Sequence, residues 1–194
     1  MIRLHEKDIN TPEWFDHIWS IEKVHRYDAV RLKALLEHVR DGDSICELGA
    51  GVFGFAQYAL AELNLNIKAT VVDFSSVALK MAAEMAPALY TVLSNALDTP
   101  LALHQFDLVG AGELIEHMET PADLVWEMAR LCKYDGWLVI STVNPDCEDA
   151  IKHGDYPEHL WSFTRQELID LFSPYGRTKY RLIGDYHMIE CQIA

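Results

Sequence analysis

The chain has 194 residues, 50% hydrophobic and 24% charged, an ordinary globular composition that excludes a disordered or fibrous chain and suits one domain with at most a small appendage. Lys and Arg number 16 against 30 Asp and Glu, for a net charge of −14; that balance repels phosphate backbones and anionic bilayers, so neither nucleic acid nor a membrane surface is expected as a partner. No run of about 18 apolar residues predicts a membrane span, Cys46, Cys132, Cys147 and Cys191 are too scattered for a metal knuckle or a disulfide framework, and the lack of an apolar leader in residues 1–8 predicts a cytoplasmic, reduced protein.

Residues 11–40 read as helical, with Leu32, Leu35, Leu36 and Val39 on one apolar face. Asp41-Gly42-Asp43 breaks the pattern. From there strands and helices alternate. Ser44–Leu48 is a strand that ends on a glycine-rich turn, and Phe55, Ala56, Ala59, Leu60 and Leu63 give a helix face. Lys68–Phe74 is a second strand, and Ser75 or Ser76 caps a helix running to Met85. Leu89–Ser94 and Phe106–Gly110 are the third and fourth strands. Pro121–Leu131 is a helix with Leu124, Val125, Met128 and Leu131 inward, and Trp137–Thr142 is the fifth strand. Such alternation predicts a parallel sheet covered on both faces. Thr164-Arg165-Gln166-Glu167 then forms a capping box. Lys179–Ile183 and His187–Ile193 are separated by only Gly184-Asp185-Tyr186, which permits a hairpin and no parallel crossover. The predicted fold is α/β: a Rossmann-like, doubly wound sheet of five parallel strands plus a terminal antiparallel hairpin, with helices on both faces. Residues 1–40 are a helical lid segment, and residues 41–194 form the single main domain.

The sharpest local feature is Glu47-Leu48-Gly49-Ala50-Gly51-Val52-Phe53-Gly54. Glycines in a strand-to-helix turn let backbone approach a ligand closely. Asp73, about 20 residues further on at the end of the next strand, is placed to accept from ribose hydroxyls. Gly49, Gly51 and Gly54 formally satisfy the dinucleotide pattern GxGxxG. Glu47, however, sits at the strand end, where it would face the cofactor. A carboxylate there suits a cationic amine better than a pyrophosphate, and S-adenosylmethionine has such an amine, a ribose and no phosphate.

These motifs resemble those of the class I S-adenosylmethionine-dependent methyltransferases, in their small-molecule, ubiquinone-biosynthesis-like branch. Residues 44–51 resemble the first motif of that family, an acid followed by GxG. Val71-Val72-Asp73-Phe74-Ser75 resembles the second, whose acid holds the ribose. Phe106-Asp107-Leu108-Val109 with Glu116-His117 resembles the fourth-strand motif, and Lys133–Ser141 the following turn and fifth strand. Glu158-His159-Leu160-Trp161-Ser162-Phe163-Thr164 resembles a segment before the last helix. Phe53 stands where the family often has a third glycine. The resemblance implies a cofactor site of Glu47, Gly49, Gly51, Asp73, Phe74, Asn95, Ala96 and Glu113. Asn95 stands where an acid is usual, and its carboxamide oxygen can accept from the adenine amino group; Asp98 is the competing residue.

Methyl transfer from a sulfonium requires alignment, exclusion of water and, where needed, removal of the acceptor's proton. His117 is placed after the fourth strand as the candidate base, or else it orders a loop. His159, among Tyr156, Trp161 and Phe163, is the second candidate catalytic group. Asn144 either orients a polar acceptor or starts the Asn144-Pro145 turn. Trp14, Phe15, Trp19, Arg26 and Tyr27 belong to the lid. Arg26 would hold an anionic group on the acceptor, and Tyr27 is a second candidate acceptor contact. No ligand-spaced histidine pattern is apparent, so no metal is expected. The expected activity is methyl transfer to an oxygen or nitrogen of a small metabolite or sugar. A nicotinamide-dependent oxidoreductase and a non-catalytic interaction module are the alternatives. The oligomeric state is left open, a homodimer included.

Overall fold

The computed structural model describes residues 1–5, 9–21, 28–147 and 156–194. Its main sheet has seven strands: β2 (Ser44–Leu48), β3 (Lys68–Asp73), β4 (Tyr90–Leu93), β5 (Phe106–Gly112), β6 (Cys132–Val143), β8 (Gly176–Ile183) and β9 (Tyr186–Ile193). Their spatial order is β4-β3-β2-β5-β6-β9-β8. The pairs among β4, β3, β2, β5 and β6 are parallel, and β9 runs antiparallel to both of its neighbours. Five parallel strands with a terminal hairpin are what the alternation predicted.

Strand alternation divides the core between two faces. Ile45, Val71, Leu108 and Val139 pack on one side with Leu32 and Leu35 of α2 (Ala29–Leu35) and Phe55 and Ala56 of α3 (Phe55–Ala61). Cys46, Val72, Val109 and Ile140 pack on the other with Leu124 and Met128 of α5 (Pro121–Leu131) and Leu168 and Phe172 of α6 (Arg165–Phe172). The sheet is therefore sealed on both faces, as a parallel sheet requires. Between β3 and β4 runs α4 (Ser76–Met85), whose N-cap is Ser75; its hydroxyl accepts from Ala78 N–H at 3.1 Å. The Thr164 capping box of α6 is also present.

The chain departs from expectation in three places. The helix read over residues 11–40 is two helices, α1 (Pro12–Ile21) and α2, because Asp28 caps α2 by accepting from Val30 and Arg31 N–H at 2.9 and 3.1 Å. Such a cap contributes about 1 kcal/mol to a helix that starts there. Strand β6 begins at Cys132 rather than Trp137, since Lys133–Gly136 is absorbed as an irregularity between β5 and β6, with Asp135 at φ 62°. Finally, β1 (Ile2–Arg3) pairs antiparallel with β7 (Trp161–Ser162) in a separate two-stranded ribbon. That ribbon ties the N-terminus to the segment before α6.

Strand β2 lies mid-sheet. From it the chain winds outward through β3 to β4, then returns to β5 on its other side. The crevice at the carboxyl ends of β2 and β5 is thus a topological switch point, where ligands of open α/β sheets bind.

Candidate active site

A cavity of about 500 Å³ opens at that switch point. The turn after β2 forms one wall. Gly49 and Gly51 take positive φ, 64° and 56°, and a Cβ on Gly49 would collide with Leu114. Glycine is needed at both positions for backbone reasons as well as for space. Asp73 closes the same wall from the end of β3. One carboxylate oxygen accepts from Gly51 N–H and the other from Ser75 N–H, both at 2.8 Å. Burial raises its pKa, against the lowering effect of those backbone donors. Each oxygen keeps a lone pair beyond its backbone partner.

Gly49, Gly51, Asp73, Phe74, Asn95, Ala96, Glu113, His117 and His159 all border this one cavity, although they come from loops far apart in sequence. Asn95 turns its side-chain oxygen to Leu97 N–H at 2.9 Å, so the oxygen expected for adenine already serves its own turn. Asp98 does not border the cavity.

Two expectations change. Glu47 is 2% exposed and does not border the cavity. Its oxygens accept from Phe55 and Ala56 N–H at 3.0 and 2.8 Å. It therefore caps α3, whose N-cap residue, Gly54, has no side chain to do so. The six-residue glycine turn folds the helix start back over the strand end, and the carboxylate meets backbone donors instead of a ligand's amine. Burial pushes its pKa up to about 7, the two backbone donors pulling the other way. Asn144 likewise faces its own turn: its side-chain oxygen accepts from Asp146 N–H at 3.1 Å, and it too lies off the cavity. Arg26 and Tyr27 lie outside the described residues.

The roof comes from α1. Phe15, Ile18 and Trp19 border the cavity. Phe15 packs on Phe74 and His117 at ring separations of 5.5 and 5.9 Å. Asp16 anchors the helix, accepting from Ser75 Oγ at 2.6 Å and Val77 N–H at 3.2 Å at the start of α4.

The far wall is built on the 3-10 turn Ile115–His117 after β5. Leu160 N–H donates to Glu116 O at 2.8 Å, and Trp161 Nε1 donates to Met118 O at 2.8 Å, so residues 158–161 are laced against that turn. His117 Nδ1 lies 2.9 Å from the Glu158 carbonyl. A carbonyl only accepts, so Nδ1 carries the proton and Nε2 the lone pair. The His159 ring stands edge-on to His117 at 4.9 Å. Glu116, named in the sequence only as part of the fourth-strand motif, borders the cavity and is 2% exposed. Burial raises its pKa and that of Glu113, and the neighbouring Glu116 raises that of Glu113 further. Glu113, at φ 54°, accepts from Ser141 Oγ at 3.1 Å and lies 3.8 Å from Arg31. The structure also brings together ligand types that spacing did not reveal. Glu116, His117 and His159 each offer one ligand atom, all within 4.8 Å of one another. Read by spacing alone, the sequence shows no such grouping. Residues 116 and 159 are joined only by tertiary contacts, so spacing carried no signal for it.

Residues 46–140 match the methyltransferase domain family. The chain belongs to the class I S-adenosylmethionine-dependent methyltransferases. It is 31% identical over 146 residues to a ubiquinone biosynthesis O-methyltransferase of Thiobacillus denitrificans, which covers 71% of this chain. The chain spans 61% of the length of that relative. A methyltransferase structure from Aquifex aeolicus superposes with a TM-score of 0.75 at 15% identity, covering 95% of this chain and 99% of that one. The geranyl diphosphate C-methyltransferase of Streptomyces coelicolor, solved with Mg2+, geranyl diphosphate and S-adenosylhomocysteine, gives 0.73 at 14% identity over 94% and 98% of the two chains. These two likenesses concern the fold.

Proposed function

We propose that this chain transfers a methyl group from S-adenosylmethionine to an oxygen of a small metabolite. One observation carries the reading. Asp73, Glu113, Glu116, Glu158 and Asp185 border the cavity, and none of its described lining residues is Lys or Arg. Such a cavity attracts a sulfonium and rejects a pyrophosphate. That sets the methyl donor above a nicotinamide dinucleotide, although the glycine turn admits either.

The residues present fit the donor. Asp73 keeps acceptor capacity toward the cavity for ribose hydroxyls, and Gly49 and Gly51 bring the backbone of their turn to the cavity wall. Phe74 and Ala96 supply apolar walls for the adenine. The donor supplies an electrophilic methyl group. The chain supplies alignment, a roof of Phe15 and Trp19 that excludes water, and a wall of Glu116, His117 and His159 that handles the acceptor's proton. Oxygen is favoured as the acceptor atom by the kind of enzyme the Thiobacillus relative is named for. No described helix is long and apolar enough to cross a membrane. All four cysteines are buried and free, which suits a reducing compartment, and we place the reaction in the cytoplasm.

Calorimetry tests this. S-adenosylmethionine and S-adenosylhomocysteine are each expected to bind with one-to-one stoichiometry. Binding of NADH with no response to either sulfur compound would reverse the assignment.

A further inference from the structure

We propose that the outer edge of β4 is a self-association surface, on which a second copy of this chain adds its own β4 antiparallel across a two-fold axis. The two ends of the seven-stranded sheet are built differently. At one end β8 carries Arg177, Lys179 and Arg181 at alternate positions, so on one face. Two such edges laid against each other would oppose cation to cation, which is how natural sheets keep an edge unpaired. At the other end β4 carries no charged residue, and residues 86–97 contain none at all. Tyr90 is 65% exposed and Leu93 62%, and among the described residues no strand lies beyond β4.

The hydrogen bonds fix the register of the pairing. Ser94 N–H donates to Asp73 O at 3.1 Å, and β4 runs parallel to β3 with Tyr90 opposite Thr70 and Leu93 opposite Asp73. Backbone groups of successive residues in a strand point to opposite edges. Tyr90, Val92 and Ser94 therefore turn theirs toward β3, and Thr91 and Leu93 turn theirs outward. A symmetric antiparallel pair is bonded through its outward-facing residues. Centring the axis on Thr91 keeps every pair within Leu89–Leu93, whereas centring it on Leu93 would set Thr91 against Asn95, beyond the strand. Thr91 then lies opposite Thr91 of the second copy, Tyr90 opposite its Val92, and Leu89 opposite its Leu93. Threonine with threonine and aromatic with β-branched are favourable cross-strand pairs. Val92 already packs against the core on one face of the sheet and Leu89 against the core on the other, so the added strand extends both apolar layers.

Charge selects the occupant. A chain carrying −14 repels a copy of itself over most of its surface, and a neutral strip is where two copies approach at least cost. The strip offers a strongly charged partner nothing to recognise, while its own residues complement one another about the axis.

Sedimentation velocity on the full chain tests this. Between about 1 and about 300 μM, the range of small, transient interfaces, the mass should rise from the 22.1 kDa monomer toward the dimer. Thr91→Pro removes an outward N–H and leaves the bonds to β3 in place, and should weaken association by at least about tenfold. Thr91→Lys and Thr91→Glu leave the backbone unaltered and set like charges face to face, so each alone should stay monomeric, while an equal mixture of the two should associate again. Far-UV circular dichroism and melting temperature show that the variants are folded, and no readout depends on methyl transfer. A wild type that stays monomeric at the highest concentration would overturn the proposal. A dimer that both charged variants retain alone would place the contact elsewhere and overturn it equally, and a mixture that stays monomeric would refute the pairing about Thr91.

Discussion

Replacing Glu47 with Ala separates a helix cap from a ligand contact. The carboxylate is 2% exposed and receives the Phe55 and Ala56 N–H groups. Ala leaves both donors buried without partners, at about 1–3 kcal/mol each. The charge state modulates this. The carboxyl is pushed up to about 7 from 4.5, mainly by burial. A raised folded pKa means that folding favours the protonated form. That contribution is complete below about 4.5 and lost as pH rises through about 7, a difference of about 3 kcal/mol. At pH 5 the variant should therefore be less stable by about 2–5 kcal/mol, and its melting temperature lower by about 5–15 °C for a chain of this size. At pH 8 the gap should shrink by up to about 3 kcal/mol, because the wild type then buries a charge that the variant lacks. Thermal melts across that range read the stability. Calorimetry with S-adenosylhomocysteine, well below the melting temperature, should give an affinity within about threefold of wild type. A gap that widens with pH would show that the anion is the favoured form. A loss of affinity beyond about tenfold in folded protein would show that the carboxylate reaches the cofactor after all.

Asp73→Ala should weaken S-adenosylhomocysteine binding by about 1.5–3 kcal/mol, the scale of a hydrogen bond to a charged group, as read by calorimetry; an unchanged affinity would move the cofactor elsewhere. Gly51→Ala places a side chain at φ 56° with the Trp19 ring 3.2 Å from the new carbon, so a stability loss of about 1–2 kcal/mol and displacement of α1, seen as altered tryptophan fluorescence, are expected. Asp16→Ala removes the acceptor for Ser75 Oγ and Val77 N–H. It should free the roof and raise the KM of the acceptor several-fold, with little change in melting temperature. Because the Ser75 hydrogen bond and its neighbours lower the Asp16 pKa from 3.8, the latch is fully formed above that value. It should open as pH falls through the lower folded value, which proteolysis near residues 16–20 would follow.

Glu47 and Asp73 look alike in the sequence, each an acid at the end of a buried strand beside a tight turn, and only Asp73 borders the cavity. Local pattern located both because strand ends, caps and glycine turns are decided by neighbours a few residues away. That is also why Ser44–Leu48, Pro121–Leu131 and the Thr164 box were legible to the residue. What separates the two acids is the path of the turn. Beyond Gly49 the chain doubles back and sets the first N–H groups of α3 over Glu47, eight residues from Phe55. One signal for this was available: Gly54 begins a helix with no side chain to cap it, so an acceptor had to come from elsewhere, and the nearest buried acid was Glu47. No comparable signal existed for Glu116 beside His159, because that proximity is created by Leu160 and Trp161 hydrogen-bonding across to residues 116 and 118. Sequence therefore reads the half of the site held by the first three strands, where each group is positioned by its own turn. The other half depends on residues 158–161, which long-range hydrogen bonds hold against the turn after β5, so its arrangement emerges only from tertiary structure.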